Sequence, residues 1–165
     1  MLRDIFEKFR VWQTRFSFGS TSAIITNLAL MAGLHSETNA KVSIIGGIMV
    51  IALADNIADS FGIHIFQESE NVATREVWTS TISNFISRVL VSLSFVVLLL
   101  VLPLNAAIIS SIIWGLLLLA VVSYMIAKNE ESNPYLSILT HLLIAVVVIF
   151  VSNLVGDLLI GRFGR

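Results

Sequence analysis

Long apolar runs separated by short polar segments dominate the chain from residue 18 onward. The runs are continuous and do not alternate as the strands of a membrane barrel do. A membrane-spanning helix needs about 20 residues, within a range of about 17–25. Five transmembrane helices are therefore predicted, at approximately 18–34, 42–66, 84–104, 106–127 and 135–161.

Two connections between these spans are well marked. Pro103, Leu104 and Asn105 form the only break between spans three and four, which predicts a tight hairpin. Residues 128–135 read KNEESNPY and form a polar loop, with Pro134 suited to the first turn of helix five. A longer polar loop is expected between spans two and three, over Gln67–Ser83.

The first 17 residues, MLRDIFEKFRVWQTRFS, form a different kind of segment. Leucine, isoleucine and aromatic residues recur at helical spacing, and charged residues fill much of the rest. This pattern is typical of an amphipathic helix on a membrane surface. A signal peptide is the alternative, but the basic region is long and aromatic, and no convincing cleavage site follows it.

Composition supports the membrane assignment. Hydrophobic residues make up 56% of the 165 residues and charged residues 13%, with a mean hydropathy of +0.91. Soluble domains are less apolar and carry about 25% charged residues. We therefore predict an all-α integral membrane protein that forms one transmembrane domain over residues 1–165. The net charge of −1 gives no reason to expect a nucleic acid partner, and the chain has no cysteine for disulfides or thiolate metal sites.

Basic residues predict the orientation. With the N-terminus inside, seven of them fall on the cytoplasmic side and three outside, which satisfies the positive-inside rule. We therefore expect a cytoplasmic N-terminus, in a prokaryotic cytoplasmic membrane. The seven are Arg3, Lys8, Arg10, Arg15, Arg75, Arg88 and Lys128, and the three are Lys41, Arg162 and Arg165.

Two aspartates inside span two are the main candidates for chemistry. Asp55 and Asp59 are four residues apart and project from one helix face. An acid at membrane depth costs about 2.5–3.5 kcal/mol on insertion scales, and such residues mark ion or proton pathways. No nearby Lys or Arg in the segment could neutralise them. We expect the pair to hold a cation or a proton; the alternative is a structural hydrogen-bond cluster.

Other polar residues complete the candidate set. Asn27 in span one is either a ligand amide or an interhelical hydrogen-bonding group. Glu68 and Glu70 either attract cations to the mouth of a path or belong to a solvated loop. Asp157, near the outer end of span five, is either an exit site or a partner of Arg162.

Three further residues of span two have weaker claims. Asn56 and Ser60 are expected to make interhelical hydrogen bonds. His64 either shuttles protons or is solvated near the membrane interface.

Several segments resemble the vacuolar iron transporter family. The segments FGSTSAIITNLALMAGL and ALADNIADSFGIHIFQESE resemble its first two helices, and LVGDLLIGRFG fits loosely the end of its fifth. The likeness implies five transmembrane helices, a homodimer built around helices one and two, and a metal-ligand position at Asp59.

The chain also departs from that family pattern. Ser22-Ala23 stands where members carry Asp-Gly, and Ala58-Asp59 stands where they carry Ser-Met. The glutamate-rich cytosolic insert of many members is replaced by one short loop. A site that loses methionine and gains carboxylates is harder, so oxygen-preferring Mn²⁺, Mg²⁺ or Ca²⁺ become suitable ions beside Fe²⁺.

These features favour a transporter that moves a divalent metal, Fe²⁺ or Mn²⁺, out of the cytoplasm in exchange for protons. The expected metal site residues are Asp55, Asp59, Asn27, Glu68, Glu70 and Asp157. We expect no permanent cofactor and no enzymatic activity, since no hydrolase, zincin or phosphate-loop motif is present. The alternatives are a non-transporting membrane scaffold with a structural ion or polar cluster, and a proton or cation channel.

Overall fold

The computed structural model describes residues 19–130 and 132–163, and all regular secondary structure within these ranges is helical. The predicted all-α class is confirmed for this part of the chain. The surface helix predicted over residues 1–17 lies outside the described residues. The helices are α1 (Gly19–Leu34), α2 (Ala40–Ser69), α3 (Thr74–Val101), α4 (Leu104–Asn129) and α5 (Pro134–Phe163).

Helices α2 to α5 are long and apolar enough to cross a membrane. This agrees with four of the five predicted spans. The described part of α1 is a shorter apolar helix, so its crossing stays a prediction. Most outward-facing side chains of α5 are apolar, as expected for a helix that contacts lipid.

The predicted loop Gln67–Ser83 is wrong for most of its length. Helix α2 continues to Ser69 and α3 begins at Thr74, so only Glu70–Ala73 connects them. The first ten residues of α3 are polar on one side, with Glu76 exposed, but Val77 and Ser80 are buried. Hydropathy marks where a helix is apolar, whereas an amphipathic turn continues the same helix past that point.

The two predicted proline positions are confirmed. Helix α3 ends at Val101 and α4 begins at Leu104, which leaves Leu102 and Pro103 as the tight hairpin, and α5 begins at Pro134. The Lys41 Nζ donates to the carbonyl of Leu102 at 3.0 Å, which places the start of α2 beside this hairpin. We call this side of the bundle the Pro103 end.

The opposite side, which we call the Asn71 end, contains the α2–α3 turn and the α4–α5 connection. Asn71 adopts a left-handed conformation, with φ of 57°. Asparagine tolerates this conformation better than most residues because its short side chain can bond locally. A four-residue turn therefore reverses the chain between two long helices.

Helix α1 is the centre of the bundle. Each of its described residues is buried or half-buried. Leu30 packs over Gly47 of α2 and Leu28 over Gly115 of α4, so glycine makes room for each leucine. The other two helices touch α1 through Ser92 of α3, which bonds Asn27, and through Gly156 of α5, which meets Gly33.

The α1–α5 crossing gives a stability prediction. A side chain at Gly156 would collide with the backbone carbonyl of Gly33, whereas the space around Gly161 on the same helix is open. We expect Gly156→Ala to lower the free energy of unfolding by about 1–3 kcal/mol, because a backbone cannot yield as a side chain can. Thermal unfolding in mild detergent measures this, with Gly161→Ala as the matched control. Equal melting temperatures would contradict the close crossing.

Candidate functional site

A fully buried arginine lies between two aspartates. Arg88, near the middle of α3, has a side chain that is 0% exposed. Its Nε donates to Asn56 Oδ1 at 2.7 Å, and its Nη2 donates to Asp55 Oδ2 at 2.8 Å. The guanidinium therefore spans adjacent side chains of α2 and joins the two helices.

The two aspartates bind the guanidinium differently. Asp55 accepts a well-formed hydrogen bond, which is the stronger, charge-assisted kind. Asp59 Oδ2 lies 2.5 Å from Nη1, yet Nη1 makes no hydrogen bond of acceptable geometry with any described residue. The Asp59 contact is thus an ion pair without an aligned N–H. Asp59 is held less firmly than Asp55.

Both carboxylates remain partly accessible although their partner is buried. The Asp55 and Asp59 side chains are 45% and 44% exposed, against 0% for Arg88. With both acids ionised, the three side chains carry one more negative charge than positive. The open side of the cluster is consequently the place where a proton or cation would be attracted.

This arrangement corrects two expectations from the sequence. A positive charge does reach the aspartates, and it comes from another helix. Arg88 is also not one of the water-exposed basic residues, so the inside count falls from seven to six against three. The signal was present, because a charged residue inside an apolar span suggests a buried partner. It was missed because span three was taken to begin at residue 84, which put Arg88 near its edge.

A ladder of polar pairs continues from this cluster toward the Asn71 end. We call it the polar ladder; it joins α2 to α3 by hydrogen bonds of 2.7–3.0 Å. The expected interhelical roles of Asn56 and Ser60 are confirmed. In order from the cluster outward, the pairs are Asn56–Arg88, Ser60–Asn84, His64–Thr81 and Gln67–Ser80.

His64 is buried within this ladder. Its residue exposure is 6%, so the expectation of a solvated histidine is wrong. Its ring stacks on Phe61 and meets the edge of Trp78, at centroid distances of 5.9 Å and 4.6 Å. Its Nε2 lies 3.4 Å from Glu68 Oε1, one helical turn away. The ring is thus held by two aromatic side chains and a carboxylate.

The other predicted ligands lie apart from one another. Asn27 donates to Ala23 O and Ser92 Oγ, while its Oδ1 has no partner among the described residues. Glu68 faces His64, and Glu70 is exposed at the C-terminal cap of α2. Asp157 accepts a hydrogen bond from Ser36 at 2.8 Å, so it lies at the Pro103 end.

The structure therefore joins Asp55 and Asp59 but does not gather the six predicted ligands into one site. Within residues 19–130 and 132–163, no group of three or more His, Asp or Glu side chains is placed to hold a metal ion. One chain offers a metal two carboxylates, which Arg88 already contacts. Further ligands would have to come from the ion's own water or from another chain.

Asp157 belongs to a second, smaller polar cluster at the Pro103 end. Ser36 Oγ lies 2.9 Å from His35 Nε2 and bonds Asp157 as well. His35 Nδ1 is 2.9 Å from the carbonyl of Ala32. These contacts tie the α1–α2 connection to α5.

Comparison with protein-family models, with curated proteins and with solved structures gave no match for this chain.

Proposed function

We propose that the protein is a membrane cation transporter in which Asp55 and Asp59 bind the ion. The cargo is a divalent metal, Fe²⁺ or Mn²⁺, which leaves the cytoplasm in exchange for protons. The observation that carries the proposal is the uneven burial of one ion cluster: a buried Arg88 beside two carboxylates that stay open. A purely structural ion pair has no need of a second, accessible acid.

Arg88 acts as a resident countercharge in this proposal. When no ion is bound, it keeps the two carboxylates together despite their mutual repulsion. When a metal approaches the open side, Asp59 turns to it more readily because its contact with Arg88 is not an aligned hydrogen bond. Protonation of either acid weakens the metal site, which makes metal binding compete with proton binding.

The depth of the cluster fits a binding site reached from one side. Arg88 is 14 residues from Leu102, and Asp55 is 14 residues from Lys41. At 1.5 Å per residue both lie about 21 Å from the Pro103 end. In a hydrocarbon layer of about 30 Å they are then about 9 Å below the opposite surface. The Asn71 end is the cytoplasmic one in the proposed orientation.

A homodimer is part of the proposal. One chain supplies two carboxylates, whereas a two-fold axis beside α2 would supply four around one ion. The resemblance to vacuolar iron transporters supports the same arrangement. Carboxylate oxygens suit Mn²⁺ and Mg²⁺ better than soft metals.

The second candidate is a structural polar cluster in a non-transporting membrane protein. It is favoured by the hydrogen bonds of Arg88 to side chains of the same chain and by the lack of a multi-ligand metal group in the described ranges. In this alternative the cluster only fixes the pairing of α2 with α3.

Transport in liposomes separates the two candidates. We expect purified protein to move Mn²⁺ or Fe²⁺ across the bilayer, and an opposing pH gradient to change the rate. Ion flux is followed with an enclosed metal-sensitive dye, with empty liposomes as the control. Metal flux that ignores the pH gradient would indicate a channel. No flux of any tested cation would favour the structural cluster.

A further inference from the structure

We propose that the polar ladder is a hydrated proton path and that His64 is the proton-binding residue at its mouth. The ligand is a proton carried by water. The inference rests on the proposed function for its purpose, but its evidence comes from different residues: the side chains between the Asn71 end and Arg88.

The hydrogen-bond geometry of His64 indicates a doubly protonated ring. Thr81 Oγ1 donates its only hydrogen to the carbonyl of Val77 at 2.8 Å. His64 Nδ1, 3.0 Å from that oxygen, must therefore be the donor. The other nitrogen, Nε2, faces the Glu68 carboxylate, which accepts only. Both ring nitrogens thus point at acceptors, an arrangement that a charged imidazolium satisfies.

The surroundings of His64 contain one charged group. Glu68 from α2 faces the ring, and α3 contributes Thr81 and the edge of Trp78. Glu68 is itself 59% exposed, so it contacts water directly. A proton taken up at Glu68 therefore has a short transfer to the His64 ring.

Polar atoms without partners line the inward continuation. Gln67 Oε1, Asn84 Oδ1 and Arg88 Nη1 are buried and have no hydrogen-bond partner in the part of the chain that the structure describes. Buried polar atoms in proteins are nearly always paired with protein or ordered water. Three such atoms on one ladder indicate water molecules between the pairs, which can pass a proton by successive hydrogen bonds.

The distances are short enough for such a path. Ser80 and Arg88 are eight residues apart on α3, which is about 12 Å along the helix. His64 and Asp59 are five residues apart on α2, or about 7.5 Å. A proton released from His64 Nε2 or Nδ1 would cross two or three waters past Ser60 and be accepted by a carboxylate oxygen of Asp59.

Thiol accessibility tests the hydration of the ladder without any transport assay. The chain has no cysteine, so single cysteines report without background. We expect Ser60→Cys and Asn84→Cys to be modified fully by a small hydrophilic thiol reagent. Ile57→Cys and Ile86→Cys, exposed on the outside of the same helical turns, should remain unmodified in liposomes because lipid suppresses thiolate formation. Unreactive ladder cysteines in monodisperse protein would overturn the proposal.

A second arm tests His64 itself. His64→Gln keeps a hydrogen-bonding side chain but cannot carry a proton. We expect its pH-gradient-driven flux to fall by about a hundredfold, the low end of what a positioned proton-transfer group contributes. Metal affinity at fixed pH should stay within about twofold of wild type, because His64 is not a ligand. Unchanged pH-driven flux would overturn the role of His64.

The two arms keep this inference separate from the proposed function. If the ladder cysteines react but wild-type protein moves no metal, the proposed metal transport fails and the hydrated path stands. In that case, proton flux measured with an enclosed pH dye tests His64→Gln directly. If metal transport is found but the ladder cysteines are inert, this inference fails alone.

Discussion

Replacing Arg88 with glutamine should cause the largest loss of stability of any single substitution at the cluster. The variant leaves Asp55 and Asp59 without a positive partner and removes the donor to Asn56. Breaking a buried pair by removing one partner costs about 3–5 kcal/mol, because the remaining charge is uncompensated. Thermal unfolding in detergent and the yield of monodisperse protein measure the effect.

A compensating variant makes this prediction specific. In the triple variant Arg88→Gln, Asp55→Asn, Asp59→Asn no charge remains, and amides can bond one another. We expect it to regain most of the stability lost by Arg88→Gln alone. Arg75→Gln, an exposed position on the same helix, is the control and should change little. An Arg88→Gln protein as stable as wild type would mean that the guanidinium does not hold the two helices together.

Much of the helical arrangement follows from the sequence, because apolar runs and prolines are local signals. The hairpin at Pro103 and the start of α5 at Pro134 were both predicted. The bounds of α3 were not, because residues 74–83 are polar and a hydropathy pattern cannot distinguish a polar helical turn from a loop. The central place of α1 was also not predicted, since it depends on glycines of other helices, such as Gly47 and Gly115, that admit α1 leucines.

The site was predicted in part for the same reason. Asp55 and Asp59 stand out because an acid in an apolar run is unusual at any depth. Their partner depends on the register of α2 against α3, which in turn depends on the length of the turn between them. With the turn at Glu70–Ala73, Asn56 and Arg88 lie at equal distances from it. A loop predicted to reach Ser83 concealed that symmetry.

Neutralising Asp59 should have the largest effect on cation binding. Asp59→Asn removes the excess negative charge of the cluster and the carboxylate that Arg88 holds less firmly. One charge interaction at 4 Å and an effective dielectric constant of about 20 is worth about 4 kcal/mol. Because Asp59 is 44% exposed and partly screened by solvent, we expect a smaller loss, of about a hundredfold in Kd for Mn²⁺. Isothermal titration in detergent measures it.

Asp55→Asn gives the matched comparison on the same helix face. It removes the same charge, but Arg88 then pairs with Asp59 alone, and an asparagine oxygen at 55 can still accept the bond from Nη2. We expect weaker binding, with a smaller loss than for Asp59→Asn, and no binding in the double variant. Glu76→Gln, an exposed acid on α3, should bind like wild type because salt screens such charges beyond about 8 Å. If the double variant and wild type bind Mn²⁺, Fe²⁺, Zn²⁺ and Ca²⁺ equally well while the double variant unfolds at a higher temperature, the acids are structural and the ion is bound elsewhere.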